Sequence, residues 1–475
     1  MIVSRVRRRR RELTLALVAV PALVLGALGA TPAQAAAAAA ANDIRVNEVV
    51  TTGSVEDSVE LYNKGTSTVD LSGWILKDEN NSSKYTIASG TKLAPGAFRA
   101  FDVHGKFGLG SSDKARLYLP DGSTLVDSHS WSSHSSPSWS RCPDGTGAFK
   151  AAALTLGAPN SCDGGGGTTP AAWPGGSAVA TADAANVFGG DLSGLRQDGS
   201  VLWAAQNSGK LWRLVRDGSG GWTPDTANGW SSGKTLRFPN GSGTPDGEGV
   251  TVTGAGAPAG VFVASERNGD ASGTSRLSVL RYDVGGTGSA LTATREWNLT
   301  ADLPPTGSNA GFEAITWIPD TSLTAAGFKD ASTGAPYAPA GYGAHGGGVF
   351  FLGVEGTGTI HGYVLQDSGA FTRVASIATG MAGVMEVQWE PQASRLWAVC
   401  DDTCGGQHRT LKVDAATGAF AVTAAYARPA GMPDYNNEGF ALAGADECVA
   451  GGKPVYWSDD SNTGGHALRR GTVSC

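Results

Sequence analysis

The sequence predicts an all-β chain whose larger, C-terminal part is a β-propeller, and three observations carry that prediction. A short phrase recurs along residues 190–460: an acidic residue often beside Gly, an apolar run, a turn, and a second apolar run ending in polar or acidic residues. The copies stand roughly 50–70 residues apart, each with room for only a few short strands, and such units bury their faces only by stacking on one another. With 69 Gly in 475 residues, and many Ser, Thr and Trp, the composition suits tight turns and short strands rather than long helices.

The phrase reads Gly247-Glu248-Gly249-Val250, Gly311-Phe312-Glu313-Ala314-Ile315, Val384-Met385-Glu386-Val387 and Asn437-Glu438-Gly439-Phe440, with a degenerate first copy at Asp191-Leu192-Ser193-Gly194-Leu195. Each is followed by an apolar strand: Val201–Ala205, Val261–Ala264, Val349–Leu352, Leu396–Val399 and Val455–Trp457. Five copies predict five blades, or six if one copy is too degenerate to see. Blades stack radially, so equivalent residues form rings about one axis. The acid opens the innermost strand, and the antiparallel second strand ends on the same face. Both acid sets therefore converge on one mouth.

Glu248, Glu313 and Glu438 are the first ring. Aligning Trp317-Ile318-Pro319 with Trp389-Glu390-Pro391 puts Met385 opposite Glu313, and a one-residue offset turns Glu386 to the other face unless a bulge restores it. The second ring comes from the strand ends: Glu266, Asp401-Asp402 and Asp459-Asp460. His408 and His466 each follow their Asp pair after five residues and a Gly-Gly, and Arg267 and Arg276 bring cations to the same face. Clustered carboxylates raise one another's pKa unless a cation compensates, and Ca²⁺, which takes about 6–8 oxygen ligands, is the natural partner. The expectation is a Ca²⁺ site of Glu248, Glu313, Glu438, Glu266, Asp401, Asp402, Asp459 and Asp460, with Arg267, Arg276, His408 and His466 holding substrate. The bland alternative is that each Glu merely accepts backbone N–H bonds and locks neighbouring blades together.

Towards the N-terminus, Arg5 to Arg11 and the apolar Leu13–Leu28 precede Ala33-Gln34-Ala35, which predicts a signal peptide over 1–35 and an exported protein. No later stretch is long and apolar enough to span a bilayer. Residues 43–162 read as a separate all-β domain, 163–176 as a Gly-rich linker, and 177–475 as the propeller. Six cysteines suit an oxidising compartment, and local pairing gives Cys142–Cys162, Cys400–Cys404 and Cys448–Cys475.

Residues 43–162 resemble the lamin-tail domain through Val46-Asn47-Glu48-Val49, Val59-Glu60-Leu61-Tyr62-Asn63, Val69-Asp70-Leu71-Ser72-Gly73-Trp74, Leu93-Ala94-Pro95-Gly96 and Gly157-Ala158-Pro159-Asn160. The resemblance implies an immunoglobulin-like β-sandwich with a tethering role. Glu48, Glu60, Trp74 and Trp131 are then structural. The propeller resembles the phytase-like, esterase-like family through Leu192-Ser193-Gly194-Leu195, Asp246-Gly247-Glu248-Gly249, Asn309-Ala310-Gly311-Phe312-Glu313, Asn437-Glu438-Gly439-Phe440 and Trp457-Ser458-Asp459-Asp460-Ser461-Asn462.

A net charge of −7 gives no electrostatic reason for nucleic-acid binding. No His-Glu-x-x-His helix is present. His345 lies in an insertion at the opposite end from the mouth. Two functions remain: an exported metal-dependent hydrolase of phosphate or other esters, and a non-catalytic extracellular protein that binds or tethers a cell-surface polymer.

Overall fold

The structure is a computed structural model that describes residues 1, 41–52, 56–134, 138–160, 162, 170–303 and 306–475. Residues 2–35 of the expected signal peptide and residues 163–169 of the expected linker lie outside the described residues. The fold is all-β.

Its N-terminal part is a sandwich. One sheet orders Ala148–Ala152, Ser138–Cys142, Ile44–Val50, Ser58–Asn63 and Phe98–Asp102, and the other orders Tyr85–Thr86, Ile75–Lys77, Asp113–Tyr118 and Leu125–Trp131. Alternate residues of both sheets meet in one core that includes Ile44, Val46, Leu61, Trp74, Leu76 and Leu117, as period-2 patterning requires. Trp74 and Trp131 are buried there, and the Trp131 indole N–H donates to the Gly110 carbonyl at 2.9 Å, so both serve packing. A fully buried side chain of this kind contributes roughly 1.5–3 kcal/mol.

From residue 180 onward come five sheets with four-stranded cores. Their innermost strands are Leu192–Asp198, Pro245–Val252, Phe312–Pro319, Glu386–Glu390 and Asn437–Leu442, for blades 1 to 5 in turn. Each innermost strand lies against those of its two neighbours, and the fifth lies against the first, so the ring closes. Closure also has an outer device. Ala180–Thr181 pairs antiparallel with Leu468–Ser474 and supplies the fourth strand of blade 5. This arrangement is a five-bladed propeller, and the fourth strands are the part that the repeated phrase does not reveal.

The Gly that follows the ring position in blades 1, 2 and 5 has a packing reason. A Cβ at Gly249 would stand 2.7 Å from the Ile315 nitrogen and 2.8 Å from the Ala314 carbonyl carbon of the next blade, closer than any side chain tolerates. Gly194 and Gly439 are shut in by neighbouring blades in the same way.

The described end of the expected linker is not a spacer. Trp173 is buried among Trp397, Phe440 and Trp457, and its indole N–H donates to the Thr472 carbonyl at 2.8 Å. Ala171 bridges to Tyr426. Chain that reads as Gly- and Pro-rich spacer is therefore anchored on blades 4 and 5 by one aromatic side chain.

The cysteines come together as the three expected local pairs, with Cα separations of 5.1 Å for Cys142–Cys162, 6.1 Å for Cys400–Cys404 and 6.3 Å for Cys448–Cys475. Among the described residues, no helix is long and apolar enough to cross a membrane.

Candidate metal centre at the propeller mouth

A β-bulge positions each acid of the first ring. In blade 2, Gly247 pairs with Ser265 and Gly249 with Ala264, which leaves Glu248 as the extra residue. The same count isolates Glu313 between Phe312↔Val354 and Ala314↔Gly353, and Glu438 between Asn437↔Asp459 and Gly439↔Ser458. Blade 1 has its bulge between Leu192 and Leu195, where Ser193 and Gly194 stand. Bulges re-aim side chains at the ends of strands, and here they turn three carboxylates toward the axis.

Blade 4 is the exception. The Met385 N–H donates to the Val399 carbonyl at 2.8 Å while Glu386 pairs in register with that same Val399, so Met385 holds the extra position. Glu386 is fully buried and accepts from the Leu195 N–H of blade 1 at 3.0 Å and the Val387 N–H at 2.9 Å. It is a lock between blades. The offset between Glu313 and Glu386 that the alignment shows is thus a real difference in role.

Three overlapping sets of carboxylates have one oxygen each within 4.8 Å of the others: Asp246, Glu248 and Glu266; Glu248, Glu313 and Glu438; Glu266, Glu313 and Glu355. Glu248 and Glu438 each keep one buried oxygen with no hydrogen-bond partner, and the buried Ser193 hydroxyl has none either. The other atoms are partly committed. Glu266 accepts the Gly311 N–H at 2.7 Å, Arg267 lies 2.5 Å from Asp246 and 3.5 Å from Glu266, and the Asn436 amide donates to Glu438 at 3.3 Å.

The electrostatics follow from burial and crowding. Burial first, then the neighbouring carboxylates, push Glu248, Glu313 and Glu438 well above the usual carboxylate range. Burial raises Glu266 and Glu355 to about 7 and Asp460 to about 6. One arginine for six or more acids leaves the mouth short of positive charge. An all-oxygen donor set with orphaned, water-inaccessible oxygens fits a hard cation such as Ca²⁺, which is smaller than a water molecule.

The remaining expected residues divide. Asp401 and Asp460 are close enough to the ring for Glu438 to feel both charges, and Asp460 keeps one buried oxygen unpartnered. Asp401, however, spends one oxygen capping the turn at Thr403, at 3.1 Å from its N–H. Asp402 is exposed and takes no part in these sets. Asp459 gives one oxygen to Arg469 at 2.9 Å and to the Thr463 N–H at 3.0 Å, and keeps the other buried and unpartnered.

The expected substrate-holding residues fare worse. Arg276 is gripped by both oxygens of Glu296 at 2.8 and 2.7 Å and stacks on Phe238. His408 is buried against Trp173, Phe440 and Trp457, accepts the Trp457 indole N–H at 2.9 Å, and is pushed down to about 3 by burial. His466 faces Asp183 at 3.2 Å. Each of these three side chains is engaged by a partner other than the ring acids. Arg267 alone stays at the mouth. The residues that the sequence reasoning left out of the set are Asp246, Glu355 and Ser193. Glu355 ends the second strand of blade 3 as Glu266 ends that of blade 2, and this equivalence was a usable signal. His345 pairs with Asp320 at 3.0 Å in the insertion after Pro319.

The family profile described as Lamin Tail Domain matches residues 37–133. No curated protein matches the chain. Among solved structures, the chain is similar to a presumed oxidoreductase (glucose dehydrogenase) from Thermus thermophilus, at 11% identity and TM-score 0.33 over 62% of this chain and 99% of that one. It is similar to a presumed 6-phosphogluconolactonase from Bacteroides uniformis at 13% identity and TM-score 0.31, over 90% and 94% of the two chains. A functionally unknown protein from Desulfotomaculum acetoxidans matches at 8% identity and TM-score 0.29, over 87% and 89%. Likenesses this distant carry no argument about activity.

Proposed function

We propose that the propeller mouth is a Ca²⁺-dependent centre for the hydrolysis of phosphate or other esters, in an exported protein whose lamin-tail part serves as an accessory or tether. The observation that carries this reading is the pair of orphaned, buried oxygens on Glu248 and Glu438 within overlapping carboxylate sets. A structural lock spends its oxygens on backbone N–H groups, as Glu386 does. These two do not.

Glu248, Glu313 and Glu438 would hold the cation, with Asp246, Glu266 and Glu355 around it. A bound Ca²⁺ supplies Lewis acidity toward an ester oxygen. The chain's own groups supply the rest. Arg267, steadied by Asp246 and by the Ser308 carbonyl at 2.9 Å, puts a guanidinium beside the ring, where an anionic ester needs one. Glu266 and Glu355 would stand beside the cation as ionised carboxylates, able to take a proton from an attacking water, as a general base must. The resemblance to the phytase-like family supports an ester substrate, and the three cysteine pairs support export.

The test is turnover by the chelator-treated mature protein on a phosphomonoester, a phosphodiester and a carboxylic ester, before and after Ca²⁺ is restored. Ca²⁺-dependent hydrolysis of one class is expected. Ca²⁺ binding without turnover of any class would leave the tethering reading in its place.

A further inference from the structure

The opposite end of the propeller carries a second polar site with a chemistry unlike that of the mouth. A cavity of about 160 Å³ opens there between blades 4, 5 and 1, lined among others by Arg196, Gln388, Trp389, Gly444, Glu447 and Lys453. Of its acids, Asp446 is exposed, and the two less exposed ones are already answered. Glu390 takes Lys453 at 2.8 Å, Arg395 at 2.5 Å and the Trp397 indole N–H at 2.8 Å, and Glu447 takes Arg216 at 2.5 Å.

Its donors are not. Arg196 makes one side-chain hydrogen bond, to the Gln388 carbonyl oxygen at 3.2 Å, and no carboxylate among the described residues pairs with it. The Arg196 Nε and the Trp389 indole Nε1 are both buried without a partner. The guanidinium is half-buried; burial lowers its proton affinity, and Asp198 and Glu386 offset this only at a distance, without a direct ion pair. Gln388 also donates to the Leu195 carbonyl at 2.9 Å, so the strand that carries Arg196 is fixed rather than free to swing its cation into solvent.

We propose that this cavity binds a small oxyanion, a phosphate or carboxylate group, on Arg196 and Trp389. Arg196 supplies the charge and a planar fork of donors, Trp389 a neutral donor beside it, and the 160 Å³ volume admits a group of phosphate size but not a nucleotide. The site is independent of the metal centre at the mouth. It needs no cation, and its donors belong to the far ends of the innermost strands.

The experiment is calorimetric titration of the full mature protein, in excess chelator, with inorganic phosphate and separately with acetate, against sodium chloride at matched ionic strength. Saturable binding of phosphate or acetate, absent with chloride alone, is expected. Arg196→Gln should weaken it at least about tenfold, and Trp389→Phe several-fold, while both variants keep the Ca²⁺ response of the mouth. If Arg196→Gln does not fold, Trp389→Phe decides. Wild-type protein that binds neither anion, or variants that bind as tightly as wild type, would overturn the proposal.

Discussion

Among the described residues, two buried acid clusters are finished in opposite ways. In the sandwich, Glu48 and Glu60 face each other across paired strands, and both are completely buried. Every oxygen there has a donor. Glu48 accepts from the Thr155 N–H at 3.0 Å, the Thr155 hydroxyl at 2.9 Å and Ser140 at 3.5 Å, and Glu60 accepts from the Gly157 N–H at 2.5 Å and the Asn47 amide at 3.2 Å. At the mouth, Glu248 is buried and Glu438 half-buried, and each retains one buried oxygen with no donor. Burial raises the carboxyls of both clusters, Glu48 to about 7 like Glu266 and Glu355, so neither burial nor charge tells them apart. The inventory of hydrogen bonds does. Glu48 and Glu60 clip the closing segment Thr155–Gly157 onto the sandwich; at the mouth Glu266 clips Gly311, but Glu248 and Glu438 clip no backbone segment among the described residues.

Truncation should break the symmetry most strongly. Glu60→Ala strands the Gly157 N–H and the Asn47 amide, at roughly 1–3 kcal/mol for each buried group left unsatisfied. Calorimetry should show the sandwich transition falling by several degrees. Glu313→Ala in chelator should cost the propeller far less, since it also removes repulsion. Comparable losses at both sites would mean that the mouth acids are locks as well.

Ca²⁺ gives the next largest contrast. At about 100 times its dissociation constant, a ligand that binds only the folded state adds about 2.7 kcal/mol. The propeller transition should rise accordingly, and Glu248→Gln or Glu438→Gln should abolish the rise. Glu48→Gln should leave it intact.

A smaller, shared effect is pH dependence. Carboxyls whose folded pKa lies above the unfolded value contribute stability below the ordinary carboxylate range and lose it as pH rises through the folded value. In chelator, both transitions should therefore fall between about pH 5 and 8, driven by Glu48 in one region and Glu266 and Glu355 in the other. Saturating Ca²⁺ should remove the fall in the propeller alone, and a scan of melting temperature against pH reads both arms. Least of all, Asp402→Asn should change the Ca²⁺ response by less than about 0.5 kcal/mol, because the side chain is exposed and outside the ring.

Much of this was legible in the sequence because repetition makes geometry visible. Five copies of one phrase fix five blades, and the Glu-Gly pairs mark where innermost strands touch. The Met385 offset announced that Glu386 plays another part. What could not be read was orientation off the ring. His408, His466 and Arg276 stand at regular distances from the acids, but spacing along a turn does not say whether a side chain faces the axis or the blade. Trp173, in a stretch that reads as spacer, shows the same limit from the other side: one aromatic residue is enough to dock a segment when a hydrophobic slot such as that of Trp397, Phe440 and Trp457 receives it. The cavity at Arg196 left no signal, since an unpaired guanidinium is recognised only by the absence of its partner in space.

The central claim is that the mouth acids are cation ligands, and calorimetric titration of the chelator-stripped mature protein with Ca²⁺ at about pH 7.5 tests it most directly. Saturable binding is predicted, released protons accompanying it because the raised carboxyls must ionise, and lost in Glu313→Gln. A flat titration with Ca²⁺, and equally with Mg²⁺ and Mn²⁺, would contradict it and return Glu248, Glu313 and Glu438 to the role that Glu386 already fills.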